Sequence, residues 1–384
     1  MTTTQPTEDR SRGDVDTEGR YLAEPALLPA SAYRDPAVLT RERDRIFQDS
    51  WLLAEFVHNV ARPGDVRPVE VNGQPILVLR DRDGRLRAYH NVCSHRGSQL
   101  VCEPKADRKT LVCPYHGWIY RLDGSLHRAQ HFAGVNRSEL PDPGSSGLTE
   151  VQVAQWLDFV FVNLGDGKPF SDLIDPLAQR WAEYDLSEME YSSYLRYDFN
   201  ANWKLIVENF LESYHVPFIH QELNTYSPFV ERFQIQLSPH LLGIGQGTYR
   251  PVMHDGEELP HWPLQSRSLK AEYFSVFPTF LIGVMPDHLF AWSLDPQAPD
   301  RTIEHLHFYF LGDAAASDAY RAHRETTLAN WKRVNDEDWE IIERMQSGMR
   351  SPAFERALTS RTMEQNINVF HRSVIDATNH GGTQ

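Results

Sequence analysis

Asn91-Val92-Cys93-Ser94-His95-Arg96-Gly97 and, after an interval of 17 residues between His95 and Cys113, Cys113-Pro114-Tyr115-His116-Gly117-Trp118 concentrate two thiols and two imidazoles in two short stretches. Each stretch supplies one Cys and one His. Two Cys and two His split in this way suit a [2Fe–2S] cluster with cysteine on one iron and histidine on the other, a ligation that raises the reduction potential. Tetrahedral zinc uses the same residue types and is the alternative. Two details favour iron–sulfur. Cys93 and His95 have a single spacer, whereas zinc ligand pairs usually have at least two. Each stretch also mixes the two ligand types, which fits one Cys and one His drawn from each loop.

These two stretches resemble the cluster-binding loops of Rieske proteins. The rest of the chain resembles the oxygenase (alpha) component of Rieske non-haem iron oxygenases, the ring-hydroxylating oxygenase family. The resemblance implies that Cys93, His95, Cys113 and His116 hold the cluster, with His95 and His116 facing outward.

A chain of 384 residues has room for two domains with sizeable cores. The net charge of −15 argues against nucleic acid as a partner, because phosphate binding needs a basic surface. It mildly favours a cationic substrate or a basic partner, though solubility alone explains it. No run of about 18 apolar residues exists, so no membrane span is expected. Residues 1–20 are polar and charged, with no apolar core of a secretion signal, and residues 1–34 are expected to be a mostly disordered leader. Of three cysteines, two are used at the cluster. Cys102 is expected to be a small buried apolar residue. No disulfide framework is available, which points to a reducing cytoplasm.

The fold class expected is α+β: an all-β cluster domain, with its preceding helix, over residues 35–165, then a β-sheet catalytic domain wrapped around a long C-terminal helix, helix-grip-like, over residues 166–384. Asp35-Pro36 reads as a helix start. Asn72-Gly73 between two alternating apolar runs reads as a hairpin turn, and Asp83-Gly84 and Asp123-Gly124 mark further tight turns. Trp156 to Leu164 is a near-continuous apolar run that reads as a single strand. Trp203 to Tyr214 reads as helix, residues 230–310 hold several strands, and Ser317 caps a long final helix reaching about Gln346 and closing near Gly348.

A second ligand-rich stretch runs from Glu208 to His220. Glu212 and His215 are three apart and would share a helix face. His215 and His220 are five apart and would diverge, so Pro217 is expected to break the helix after His215 and let His220 fold back. Two imidazoles and one carboxylate form the facial triad of mononuclear non-haem iron, which leaves positions open for O2. The bland alternative is a pair of ordinary core or surface histidines. In the last helix Asp338 falls near the centre of an apolar stripe of Trp331, Val334, Ile341, Ile342 and Met345, with Glu337 at its edge and Asp336 opposite. A buried aspartate needs a metal or a buried arginine.

Asn202-Trp203-Lys204, Glu208-Asn209-Phe210 and Tyr214-His215…His220 resemble the catalytic signature of the same family, and Glu337-Asp338 resembles its carboxylate-bearing helix. The resemblance implies iron ligation by His215, His220 and Asp338. It implies a ring-shaped trimer in which a carboxylate, Glu212 here in place of the usual Asp, links a cluster histidine of one subunit to the iron-binding histidine of its neighbour. The alternative for Glu212 is a solvated helix-face carboxylate. Glu212 resembles the branch acting on quaternary ammonium compounds such as carnitine, betaine or choline. Asn209 would stand behind the iron, or else pack or cap the helix.

The implied function is that of a terminal oxygenase taking electrons from a separate NAD(P)H-dependent reductase, a flavin/iron–sulfur protein or a ferredoxin, and using O2 on a small organic substrate. Monooxygenation or oxidative demethylation of a quaternary ammonium compound leads; dioxygenation of an arene or aromatic acid is the alternative. Tyr226, Phe229, Tyr249, Trp262, Phe280, Trp292 and Phe308 are available to cage an ammonium group or stack on an arene, though most are expected to be plain core. A pure electron carrier would need only the β unit, and a zinc protein with an inert second domain would leave the His/His/Asp pattern without purpose.

Overall fold

The computed structural model describes residues 27–138, 140–141, 146–249 and 271–379. The chain divides into two compact units. One is Arg43–Asp172; the other joins the chain up to Glu42 with the chain from Leu173 onward.

The Arg43–Asp172 unit is all-β. Strands β1 (Leu52–Phe56), β2 (Val66–Val71), β3 (Gln74–Arg80), β4 (Leu86–His90), β8 (Glu150–Trp156) and β9 (Phe159–Asn163) form one sheet in the order β1-β9-β8-β4-β3-β2. A smaller sheet holds β5 (Thr110–Val112), β6 (Ile119–Arg121) and β7 (Leu126–Arg128). The Asn72-Gly73 turn is as expected: Val71 faces Gln74 across β2 and β3, and both turn residues have positive φ, 51° and 73°. The 156–164 run differs from expectation. Trp156 closes β8, Leu157 takes a φ of 53°, and β9 turns back to pair Phe159 with Trp156. β9 is buried throughout while β8 is largely half-exposed, and the one polar residue at the turn, Asp158, is too slight a punctuation to split the run in the sequence. Cys102 also departs from expectation. Val101 packs into the core with Leu100 while Cys102 is exposed, beside Gln99.

The other unit is built on one antiparallel sheet. Its strands are β10 (Met189–Phe199), β11 (Arg232–Ser238), β12 (Leu241–Gln246), β13 (Ala271–Val276), β14 (Phe280–Val284), β15 (His288–Ala298) and β16 (Arg301–Leu311), in the order β10-β16-β15-β14-β13-β12-β11. The helices, α1 (Pro36–Glu42), α2 (Phe170–Arg180), α3 (Trp203–Phe210), α4 (Val216–Ile219), α5 (Leu223–Tyr226), α6 (Arg321–Gly348) and α7 (Gln365–Asn379), complete an α+β fold. Asp35 starts α1 by accepting the Ala37 N–H at 2.9 Å. Ser317 caps a short 3-10 turn that leads into α6. The long helix is not the last, because α7 follows it.

Two expectations around the second ligand stretch are corrected. The helix begun at Trp203 stops at Phe210, capped by Leu211, so Glu212 and His215 lie on a turn rather than on a shared helix face. Pro217 does not end a helix but opens one: it stands in the first turn of α4, where a missing N–H costs nothing. The buried face of α6 is also redrawn. It runs through Val334, Asn335, Ile342 and Gln346, while Met345 is 37% exposed.

The anchor of α3 is a buried ion pair. Lys204 is fully buried and donates to Glu42 at 2.6 Å, and the Trp203 indole N–H reaches the same carboxylate at 2.9 Å. Burial pushes the Lys204 amine down, against the pull of Glu42. Its ammonium also lies 5.4 Å from the Tyr33 ring and 5.1 Å from the Trp203 ring. Removing one partner strands the other without solvent. Glu42→Ala is therefore expected to destabilise this unit by about 3–5 kcal/mol, measured by chemical denaturation, with Lys204→Met/Glu42→Leu recovering much of the loss.

Candidate metal centres and substrate cavity

The two Cys/His stretches fold as twin turns. Cys93 N–H donates to Ser98 O and Gly97 N–H to Cys93 O; Cys113 N–H donates to Trp118 O and Gly117 N–H to Cys113 O. Gly97 and Gly117 close the turns at φ of 74° and 69°, a region where a side chain is strained. Each turn points its cysteine into the core and its histidine outward. Cys93 and Cys113 are each 2% exposed, whereas His116 is exposed and His95 half-buried. The imidazole rings lie 4.6 Å apart, and Trp118 stacks on His95 at 4.7 Å. The Tyr120 hydroxyl is 3.1 Å from Cys93 Sγ and accepts the Ser94 N–H at 3.2 Å. Burial raises the Cys93 thiol, which lies against that of Cys113. His95 Nδ1 is buried with no hydrogen-bond partner among the described residues. Two adjacent buried thiols and an orphaned imidazole nitrogen are what a [2Fe–2S] cluster with mixed ligands would complete.

In the other unit the structure brings His215, His220 and Asp338 together, their ligand atoms all within 4.8 Å of one another. Asp338 Oδ1 is 2.9 Å from His220 Nε2 and 3.7 Å from His215 Nε2. Each imidazole is oriented from behind by a carboxylate on its Nδ1: Glu212 holds His215, and Glu337 holds His220 at 2.7 Å. Burial lowers His220, but its bonds to Asp338 and Glu337 and their charges outweigh burial and raise it. Asn209 donates to Asp338 Oδ1 at 3.1 Å. Asp336 turns away to the Tyr197 hydroxyl and Lys332. The partners of Asp338 are thus the two histidines and Asn209, with no arginine among the described residues. Glu212 is not a solvated surface group: it is 9% exposed and accepts the Tyr214 and His215 backbone N–H groups as well as His215 Nδ1.

The same three residues line a cavity that, counted out into open solvent, holds about 680 Å³ of empty space. Seven aromatic rings line it, together with aliphatic side chains, Gln246 and the guanidinium of Arg232. Of the candidates, Tyr249 and Trp292 line it; Tyr226, Phe229, Phe280 and Phe308 do not, and Trp262 lies outside the described residues. Phe210, Tyr273, Phe290 and Trp331 are lining rings that sequence reasoning missed. Phe290, Trp292 and Trp331 form a cluster with centroids 4.6–5.5 Å apart. Trp331 is locked through its indole N–H to His288 Nε2 at 2.8 Å, and His288 Nδ1 meets Asp287 at 2.9 Å. Burial raises the Asp287 carboxyl, but His288 and His323 outweigh it and hold it below the usual carboxylate range. Glu304, also missed, lines the cavity while wholly buried; burial, reinforced by the charge of Asp338, pushes it up to about 8. The sequence did not single it out, since its strand also carries Arg301, Thr302, His305 and His307.

A mixed-ligand Cys/His pair of loops in one unit and a His/His/Asp cluster over an aromatic cavity in the other define a two-centre iron oxidoreductase. Residues 186–380 match the family described as ring hydroxylating alpha subunit (catalytic domain), and residues 50–139 match the Rieske [2Fe–2S] domain. The chain belongs to the ring-hydroxylating alpha-subunit family, the oxygenase components of Rieske systems. Its cofactors are a Rieske [2Fe–2S] cluster and a mononuclear non-haem iron, and it works with a separate reductase, O2 and a substrate. It is 29% identical to the glycine betaine monooxygenase oxygenase subunit of Chromohalobacter salexigens, over 88% of this chain and 82% of that protein. It is 27% identical to the chloroplastic choline monooxygenase of Amaranthus tricolor, over 97% of this chain and 82% of that protein. A quaternary ammonium Rieske monooxygenase solved with L-carnitine superposes with a TM-score of 0.76 at 23% identity, covering 92% of this chain and 95% of that one. No described helix is long and apolar enough to cross a membrane.

Hydrogen bonds to cluster sulfur stabilise the reduced form. Tyr120→Phe removes the hydroxyl beside Cys93 Sγ, so the cluster is expected to assemble with its visible spectrum intact and a more negative midpoint potential, read by redox titration.

Proposed function

We propose that this chain is the terminal oxygenase of a Rieske system that monooxygenates a quaternary ammonium compound, by hydroxylation or oxidative demethylation. Cys93, His95, Cys113 and His116 are assigned to the cluster, and His215, His220 and Asp338 to the iron. The observation that carries the assignment is the His215/His220/Asp338 cluster opening onto an aromatic cavity. The bound iron supplies the activation of O2, with open positions beside its three protein ligands. The protein's own residues do the rest. Glu212 and Glu337 keep Nε2 of each histidine facing the metal by occupying Nδ1. Asn209 fixes the rotamer of Asp338. The aromatic wall excludes water and presents ring faces to a cation.

The substrate class is supported by the relatives that act on choline and glycine betaine, and by the ring cluster of Phe290, Trp292 and Trp331. The same rings could stack on an arene, so ring dioxygenation is the reading the experiment must exclude. The working form in this reading is a homotrimer, with Glu212 linking the iron-side His215 to a cluster histidine of the neighbouring subunit. The electron donor is a flavin/iron–sulfur reductase or ferredoxin fed by NAD(P)H, and the setting is the cytoplasm, in keeping with three free cysteines.

With a surrogate reductase, O2 uptake coupled to product is expected for a member of a panel of choline, glycine betaine and carnitine, and not for benzoate or phthalate. Coupled oxidation of the aromatic acids alone would overturn the substrate class. Asp338→Ala is expected to lower iron from about three to about two per chain while keeping the cluster spectrum. Glu212→Gln should keep both centres yet lose most turnover; unchanged coupled turnover would remove Glu212 from the electron path.

A further inference from the structure

Glu304 lies in the middle of β16, paired with Leu294 on β15 and Tyr197 on β10. It is 1% exposed, and its Oε2 has no hydrogen-bond partner among the described residues. No Lys, Arg or His forms an ion pair with it among the described residues. A buried carboxyl left in this way is costly in either protonation state, because neither its charge nor its lone pairs are met. Residues on a strand alternate faces, so Trp292, two before Leu294, shares the sheet face of Glu304 on the neighbouring strand. The Trp292 Nε1 is also buried without a partner among the described residues. Both side chains line the cavity that holds His215, His220 and Asp338.

A quaternary ammonium group carries a full charge and no N–H. It can satisfy an anion by charge alone, in a dry site, while its methyl groups lie against ring faces. A carboxyl whose Oε2 has no hydrogen-bond partner among the described residues, in the same lining as Phe290, Trp292 and Trp331, matches that chemistry, because a bound cation would hold it ionised. A neutral arene would leave Glu304 uncompensated. We infer that Glu304 is the counter-ion of the substrate's cationic head and the residue that rejects uncharged molecules of the same shape, an inference that rests on the quaternary-ammonium reading above.

The test is calorimetric binding to the resting holoenzyme without reductant. The probes are choline, glycine betaine and their isosteres in which carbon replaces the quaternary nitrogen. The wild type is expected to bind a charged probe about a hundredfold more tightly than its isostere. Glu304→Gln is expected to lose most of that preference while holding the isostere within about threefold, which shows the cavity intact. Retention of the full preference by Glu304→Gln overturns the inference and leaves the substrate class standing. Should the variant fail to fold, the wild-type ratio decides: equal affinity for charged and uncharged heads overturns it. Binding of neither charged probe nor carnitine overturns the substrate class and the inference together.

Discussion

Asp338 brings a negative charge into a cavity walled by aromatic rings, and the helices around it are placed so that the charge is met. A carboxylate in such surroundings needs hydrogen bonds or a counter-charge to remain ionised. His220 reaches it from the end of α4, His215 from the turn before α4, and Asn209 from the last turn of α3. These three arrive from one short stretch only because α3 stops at Phe210 and the chain restarts as helix at Val216. A continuous helix would send the two histidines about 140° apart. The break is thus the local feature on which the centre depends. Glu212 and Glu337 then act from behind, each holding one imidazole by the nitrogen that faces away from Asp338.

The cluster loops solve a similar problem with different means. A sulfur ligand is best kept dry, whereas an imidazole that passes electrons onward needs an outer position. Twin turns achieve both, since each turn reverses direction between its cysteine and its histidine. Trp118 and Tyr120 follow directly in β6 and its lead-in, so one short segment supplies a ligand loop, the ring stacked on His95 and the hydroxyl beside Cys93.

Behind the iron-side centre lies a set of buried charges that do not touch the cavity. Glu42 and Lys204 neutralise each other, while Glu208 accepts from Tyr33 and meets His371 on α7. These pairs tie residues 33 and 42 to α3 and α7 within one unit, which is why the chain before Arg43 clusters with the chain after Asp172. They also set α3 in place, and with it Asn209. Glu304 stands apart from this pattern: it is a buried acid whose Oε2 has no partner among the described residues, and it faces the cavity.

Local chemistry was legible in the chain by itself. Cysteine and histidine at fixed short spacings, Asn-Gly at a hairpin, Asp35 before Pro36, and Asp338 within an apolar stripe all act over a few residues, so their order in the sequence carries their meaning. The positions that sequence reasoning mistook depend on distant partners. Cys102 is turned out by the packing of Val101, the 156–164 run folds as a hairpin because β9 turns back at Leu157-Asp158 to pair with β8, and α3 ends early because Glu212 accepts backbone N–H groups that a helix would have used otherwise. The lining of the cavity was the least legible part. Phe290, Trp292, Glu304 and Trp331 come from two adjacent strands and a helix, and only the sheet register and the packing of α6 decide which face each side chain takes. The ligand types were therefore determined by sequence, whereas the company they keep, and so the substrate they can admit, was decided by tertiary structure, because burial and charge compensation are properties of neighbours far apart along the chain.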